Sequence, residues 1–339
     1  MVYTKKSVAL IFGGEGPERH ISELSAKNIL RTIDRERFSV LPVYISEDGD
    51  WLLLDDEASL KSGIPTYPAR LGGKSGFLVD EGLLQVDVAL PILHGSYGED
   101  GRVQGALDTA HIRYVGCGVG ASAACADKVF TKIVARHLGI PTAEWVCACD
   151  LTADEARSLA ESRLDYPMFV KPADLGSSIG AAVADTPDDF DAAYTEAKHH
   201  SDKILIEAKL PVAAEIECAF LEVSGKRHYL ASGTAHTGGE FYSFGAKYEG
   251  EKALKISHGA PPVGKRADIA RYARTLGDAI GLRHIARIDF FLTDNDEVFF
   301  NEINTIPGMT DSSLYPSMTE DIGLPHGEFI NRLLGEATA

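Results

Sequence analysis

The sequence predicts a chain of mixed α/β and α+β architecture in more than one domain, led by an N-terminal parallel α/β domain. Three observations carry that expectation. With 339 residues the chain exceeds the size at which one hydrophobic core stops growing, so two or three domains are expected. Strand and helix patterns alternate over roughly the first 120 residues, as in a parallel sheet with crossover helices. Beyond residue 215 the β-rich runs instead come in hairpin pairs.

Taken in order, residues 7–12 form an apolar, β-branched strand that ends in a glycine turn over 13–16. Residues 22–33 have helical spacing, 40–45 read as a second strand and 86–91 as a third. Residues 51–82, rich in Gly, Pro and charge, read as a surface excursion. A helix over 128–138 leads to Gly139-Ile140-Pro141, and an acidic helix follows over 152–162. A strand at 167–170 runs into Lys171-Pro172, then a helix at 187–199 and a strand at 203–207 close a small α+β unit. The hairpins pair 215–223 with 228–232 and 285–292 with 297–303. Residues 236–258, rich in Gly, Tyr and Lys, read as a mobile loop.

Composition narrows the function. The net charge is −17, from 33 Lys and Arg against 50 Asp and Glu, which repels nucleic acid and anionic membranes as partners. Any nucleotide site must therefore gather local lysines and metal ions. No stretch approaches the roughly 20 apolar residues of a membrane helix, and the N-terminal apolar run is too short for a signal peptide. The five cysteines have no paired metal spacing and are expected to be reduced, in a cytoplasmic protein.

The glycine patterns near residues 13–16, 73–75 and 116–120 match neither a Walker sequence nor a dinucleotide fingerprint. A different loop carries more. Lys171 stands at a strand end, followed by Gly176-Ser177-Ser178-x-Gly180. Small residues let backbone N–H groups approach phosphate oxygens while the lysine adds charge; the other reading is a plain hairpin loop with an exposed Lys. A second group is Arg287-x-Asp289 with Asn301-Glu302-x-Asn304, on two strands joined by a polar turn. By the two-residue strand period, 287 shares a face with 289, and 302 with 304. A symmetric turn would set Arg287 opposite Glu302 with Asp289 diagonal to it. Carboxylates and an amide are hard oxygen ligands suited to Mg²⁺ or Mn²⁺; the alternative is a solvated face with a salt bridge. The polar loop 304–316 then offers backbone N–H groups beside that face.

Together these segments resemble the D-alanine–D-alanine ligases of the ATP-grasp superfamily, over nearly the whole chain and in the same order. Gly13-Gly14-x-x-x-Glu18-x-x-Ile21-Ser22-x-x-Ser25 is similar to the family's opening motif. His94-Gly95-x-x-Gly98-Glu99-Asp100-Gly101-x-x-Gln104-Gly105 is similar to its second. Asp127-Lys128, Ala246-Lys247-Tyr248 and Asn304-x-x-Pro307-Gly308-Met309-Thr310 extend the match.

The resemblance implies a three-domain ATP-grasp fold: an N-terminal α/β domain at 1–122, a central subdomain at 123–206 and a C-terminal subdomain at 207–339, with a lid at 236–258. It implies ATP-dependent joining of two D-alanine molecules through an acyl phosphate, with ATP and two Mg²⁺ (or Mn²⁺) ions as cofactors, in peptidoglycan precursor synthesis. Lys128 and Lys171 would hold the ATP phosphates beneath Ser177 and Ser178. Glu207 and Leu210 would line the adenine slot, Glu215 would bind ribose, and Phe169, Phe241 and Phe291 would pack on the purine. Asp289, Glu302 and Asn304 would ligate the metal ions. Glu18 would bind the first D-alanine's ammonium near His94, linked to Ser177 and Tyr248 in a hydrogen-bonded triad. Lys247, also counted at the nucleotide, would receive the second D-alanine with Ser313 and Leu314. Arg287 and the Gly308 amide would meet the oxyanion.

Departures from the family pattern fall at the nucleotide and the lid. Ala208 stands where many members have Lys or Gln, and Glu215 lies one residue further from Glu207 than in other members. The lid stretch 241–246 carries no acidic residue, where acidic residues are commoner before the lysine. Tyr248, absent from lactate-type relatives, and Leu314, where resistance-type relatives tend to have Arg, favour D-alanine as second substrate over D-serine. The resemblance further implies a homodimer formed through the N-terminal domain.

Overall fold

The computed structural model describes residues 5–55, 62–235, 256–257, 263–310 and 313–339. Strand β1 (Lys6–Gly13), helix α1 (Arg19–Thr32) and strand β2 (Phe38–Ile45) make the first βαβ unit. Strands β3 (Trp51–Leu54) and β4 (Gly63–Pro65) extend that sheet antiparallel at one edge. Strands β5 (Tyr67–Leu71), β6 (Lys74–Val79) and β7 (Gly82–Gln85) form a separate antiparallel sheet, and β8 (Val88–Leu93) returns beside β1. The main order is β4-β3-β2-β1-β8, with β1, β2 and β8 parallel. The described parts of the segment 51–82 are thus mostly strand, a correction to the expected excursion. Its short strands are broken by Gly and Pro, which hides their period, yet Phe77 is buried and stacks on Trp51 at 6.4 Å.

Val8, Leu10 and Phe12 face one side of the sheet, and Ala9 and Ile11 the other. All five are buried, because elements cover both faces. On the second side lie helix α2 (Arg102–Thr109) and Phe77. The first side is covered by α1 and by the last helices of the chain.

Helices α3 (Val119–Ala126) and α4 (Lys128–His137) lead to the central unit. It comprises β9 (Trp145–Cys149), α5 (Ala153–Glu161), β10 (Met168–Pro172), β11 (Ala182–Ala184), α6 (Pro187–His200) and β12 (Lys203–Ala208). The sheet is antiparallel, in the order β11-β10-β12-β9. Thr152 and Glu155 start α5 with a reciprocal capping box, which fixes the helix start read from the sequence.

The third unit holds β13 (Val212–Val223), β14 (Lys226–Ala235), β15 (Ile256–Ser257), helix α7 (Val263–Ile280), β16 (Ile285–Thr293) and β17 (Val298–Asn304). Its antiparallel sheet runs β15-β14-β13-β16-β17. Ser224 and Gly225, at φ 54° and 68°, make a two-residue turn whose twist suits the β13–β14 hairpin. Helices α8 (Leu314–Glu320) and α9 (His326–Ala337) end the chain, and Phe329, Ile330 and Leu333 join the core of β1 and α1.

The register of β16 on β17 differs from the symmetric expectation. Arg287 faces Asn304, and Asp289 faces Glu302. Two local causes shift it. The loop has three residues, 294–296, closed by Thr293 N–H to Glu297 O at 3.0 Å, with Asp296 left-handed at φ 60°. A bulge then leaves Asn301 as the extra residue on β17. The shared face survives: Arg287, Asp289, Glu302 and Asn304 lie together, while Ile288, Phe290 and Ile303 are buried on the other side. No helix among the described residues is long and apolar enough to cross a membrane. The expected lid lies outside the described residues, apart from 256–257.

Candidate active site

A cavity of about 1060 Å³ is lined by the ends of the first sheet, the β10–β11 loop and the facing sides of the other two large sheets. Every site residue expected from the sequence that lies among the described ones lines it. Phe241, Lys247 and Tyr248 lie outside the described residues.

One end is built from the opening motif. Gly13 comes so close to β2 that a Cβ would lie 2.2 Å from the Ile45 carbonyl, so only glycine fits. Its N–H donates to Ser22 Oγ at 2.8 Å, and the Ser22 hydroxyl donates on to the Ile92 carbonyl. These bonds fasten α1 against β1 and β8, which sets Glu18 at the helix start and over the cavity. Ser177 Oγ donates to Glu18 Oε1. Gly95 and Gly176 leave the space this carboxylate occupies, since a Cβ at either would approach Glu18 Oε2 at 2.7 and 3.3 Å. Below it, His94 is buried with its Nε2 at 3.5 Å from Ser25 Oγ, and burial lowers its pKa.

Glu99 belongs to the second motif, where spacing alone assigns it no role. Its carboxylate accepts from Gly95 N–H at 2.8 Å and Ile306 N–H at 3.0 Å, which ties the first sheet to the loop after β17. Burial, and then the nearby Glu18 charge, push it up to about 8.

The cationic wall comes from α4 and β10. Asp127 caps α4 by accepting from Val129 N–H at 3.0 Å and Phe130 N–H at 3.2 Å, so the helix starts at Lys128. Lys128 Nζ donates to the Leu175 carbonyl at 2.6 Å and lies 3.3 Å from Glu302. Lys171 Nζ lies 2.6 Å from Glu207 Oε2, and Phe169 pairs with Glu207 across β10–β12. Lys132, also given no role from the sequence, meets the other Glu207 oxygen at 2.6 Å. Burial acts to raise the Glu207 carboxyl, but the two ammonium groups outweigh it and hold it at about 2. In the loop between β10 and β11, Ser177 and Ser178 are left-handed at φ 50° and 60°. Such backbone costs about 1–3 kcal/mol per residue and persists where surroundings impose it, commonly at ligand sites.

The acidic face lies across from it. Glu215 pairs with Phe291 and Glu217 with Asp289, so the cavity face of the large sheet carries both. Arg287 grips Asp289 at 2.8 and 2.7 Å, and Asn304 donates to the same carboxylate at 3.0 Å. Burial disfavours the charged guanidinium, yet Asp289 and Glu217 together raise its pKa well above the ordinary value, so Arg287 stays cationic. Two carboxylates facing each other beside an amide form a hard-oxygen donor set, and both already sit against cationic side chains. That chemistry fits a divalent ion such as Mg²⁺. Past β17, Gly308 packs so tightly that a Cβ would lie 2.9 Å from Ser313 Oγ, and Ser313 leads into α8 at the buried Leu314.

Comparison with known proteins matches the family models for the D-ala D-ala ligase N-terminus over residues 7–117 and the D-ala D-ala ligase C-terminus over residues 134–335. The D-alanine–D-alanine ligase of Chlorobaculum tepidum is 39% identical, the alignment covering 98% of this chain and 96% of that protein. That of Arthrobacter sp. is 37% identical, covering 98% and 94%. Among solved structures, the VanG D-Ala:D-Ser ligase from Enterococcus faecalis superposes with a TM-score of 0.87 at 29% identity, covering 98% of this chain and all of that one. The D-alanine–D-alanine ligase from Coxiella burnetii gives 0.84 at 29%, covering 98% and 94%.

Proposed function

Because the chain belongs to the D-alanine–D-alanine ligase family, we propose that it joins two D-alanine molecules at the expense of ATP, releasing ADP and phosphate. The observation that carries this reading is one cavity with a carboxylate–serine pair at one end and lysines facing a paired-carboxylate set at the other. That is what a reaction needs when an amino acid must meet a polyphosphate.

The residues divide the work. Lys128 and Lys171 neutralise nucleotide phosphates under the Ser177–Gly180 loop, with Glu215 at the ribose and Phe169, Phe291, Glu207 and Leu210 around the base. Asp289, Glu302 and Asn304 would hold two Mg²⁺ or Mn²⁺ ions. Bound there, a divalent ion offsets repulsion between the phosphates and the attacking D-alanine carboxylate. Glu18 takes the ammonium of that first D-alanine, beside neutral His94. The resulting acyl phosphate is attacked by the second D-alanine, seated by Ser313 and Leu314 with Lys247. Ser177, with Tyr248, relays the proton it loses toward Glu18. Arg287 and the Gly308 N–H would face the tetrahedral oxyanion. Leu314 offers no charge to a hydroxyl-bearing second substrate, which favours D-alanine over D-serine.

We further infer three domains with the bounds 1–122, 123–206 and 207–339, a lid at 236–258, a homodimer and a cytoplasmic setting, where ATP is supplied. The deciding experiment measures ADP release from Mg²⁺-ATP with and without D-alanine, with mass detection of the dipeptide. ADP formed only with D-alanine, alongside D-alanyl-D-alanine, is the expected result. No D-alanine-dependent turnover, or equal turnover with D-serine or D-lactate, would overturn the substrate assignment.

A further inference from the structure

Helix α4 presents two lysines four residues apart on one face, and they meet different surroundings. Lys128 lines the cavity; Lys132, one turn on, does not. The Lys132 side chain is 1% exposed, and its ammonium lies 2.6 Å from Glu207 Oε1. The other oxygen of Glu207 holds Lys171 at 2.6 Å, and Lys171 does line the cavity. One carboxylate therefore stands between a lysine that faces the nucleotide space and a lysine walled off from it. Taking an ammonium fully out of water is costly, and an apolar side chain would fill the same volume without that cost. The reason for a lysine here must lie in the charge it supplies.

We propose that Lys132 is a positioning residue for nucleotide binding: a fixed counter-charge on Glu207 that lets Lys171 exchange its carboxylate partner for a nucleotide phosphate. The proposal rests on the reading of Lys171 as a phosphate ligand. Without nucleotide, Glu207 is compensated from both sides. When Lys171 turns to a phosphate oxygen, Glu207 loses one partner and, being 5% exposed, gains little water in return. Lys132 keeps it paired, so the exchange leaves no bare buried charge. Without Lys132, Lys171 would be the sole cation beside a buried carboxylate and would be held there against the incoming phosphate, because attraction at that depth far exceeds its strength in water.

The test is a cycle of Lys132→Met, Glu207→Gln and the double variant, read by KM values for ATP and D-alanine and by calorimetric ADP binding. Lys132→Met is expected to raise the KM for ATP and weaken ADP binding by about tenfold, with the KM for D-alanine unmoved. In the Glu207→Gln background no carboxylate competes for Lys171. There, adding Lys132→Met is expected to change ADP affinity by less than about twofold. If the single Lys132→Met variant does not fold, this second comparison decides, since the double variant leaves neither partner charged and alone. A further loss of about fivefold or more there means that Lys132 acts by another route, which overturns the proposal. Two other outcomes overturn it equally: folded Lys132→Met binding ADP like the parent, or losing ADP and D-alanine in step, as a purely structural lysine would. Failure of the underlying reading has its own signature, a parent protein without D-alanine-dependent ADP release.

Discussion

Ser177 donates its hydroxyl hydrogen bond to Glu18 across 159 positions of sequence, so the glycine loop of the central unit is tied to the first helix of the chain. The carboxylate fills space left by Gly95 and Gly176, and the serine sits in a left-handed turn.

Breaking this contact should cost D-alanine chemistry. Ser177→Ala is expected to lower kcat/KM for D-alanine by about 10²-fold, the scale of one positioned proton-transfer partner. Glu18→Gln should lower it further, since the ammonium loses its charge partner. ADP-release kinetics check both; a Ser177→Ala effect confined to the KM for ATP would contradict the assignment.

Gly95→Ala tests the space itself. The new Cβ would meet Glu18 Oε2 at 2.7 Å, at a backbone φ of 72°. Left-handed backbone costs an alanine about 1–2 kcal/mol, so the melting temperature should fall modestly. The D-alanine half-saturation should rise more than the ATP one, as the carboxylate is pushed aside. Thermal melts with substrate titrations read both quantities.

The facing pair Asp289 and Glu302 should govern metal dependence. Either Asp289→Asn or Glu302→Gln is expected to raise the Mg²⁺ concentration for half-activity by at least about tenfold, no less than the loss seen when a ligand's supporting partner is removed. Mn²⁺ binding followed by electron paramagnetic resonance should weaken in step. Chelation should abolish ADP release, and added Mg²⁺ or Mn²⁺ should restore it.

Glu99 predicts a pH dependence of stability. Its carboxyl is raised from 4.5 to about 8 by burial first and the Glu18 charge second. The folded protein therefore holds this proton more tightly than the unfolded chain. Its contribution is complete below pH 4.5 and is lost as pH rises toward 8. Urea unfolding at pH 5 and pH 8 should show the parent losing more stability than Glu99→Gln over that interval. Parallel losses would mean that Glu99 is ionised throughout.

Much of the site was legible because its chemistry sits in short segments. Lys171 with its glycine loop, and the alternation around Asp289 and Glu302, leave a phosphate loop and a metal-binding strand face each as one of two readings, and the family resemblance favours those two. What escaped depended on distance in space. The pairing of Arg287 with Asn304 rather than Glu302 hinges on one left-handed residue, Asp296, and one extra residue, Asn301, neither of which alters hydrophobic period. Lys132 and Glu99 look like ordinary charged residues until the fold surrounds them. The strands between 51 and 85 were missed because Gly and Pro interrupt them, and their packing, such as Phe77 on Trp51, is long-range.

The packing of α9 against β1 and α1 sets an order of events during synthesis. Val8, Leu10 and Ile29 are covered in part by Phe329, Ile330 and Leu333, which leave the ribosome more than three hundred positions after Val8. Until then that face of the first sheet is covered only in part, by α1. A nascent or prematurely terminated chain lacking the last two helices would present that apolar face to chaperones, or to other copies of itself. The cover of β1 is thus completed only when residues 326–337 pack beside α1.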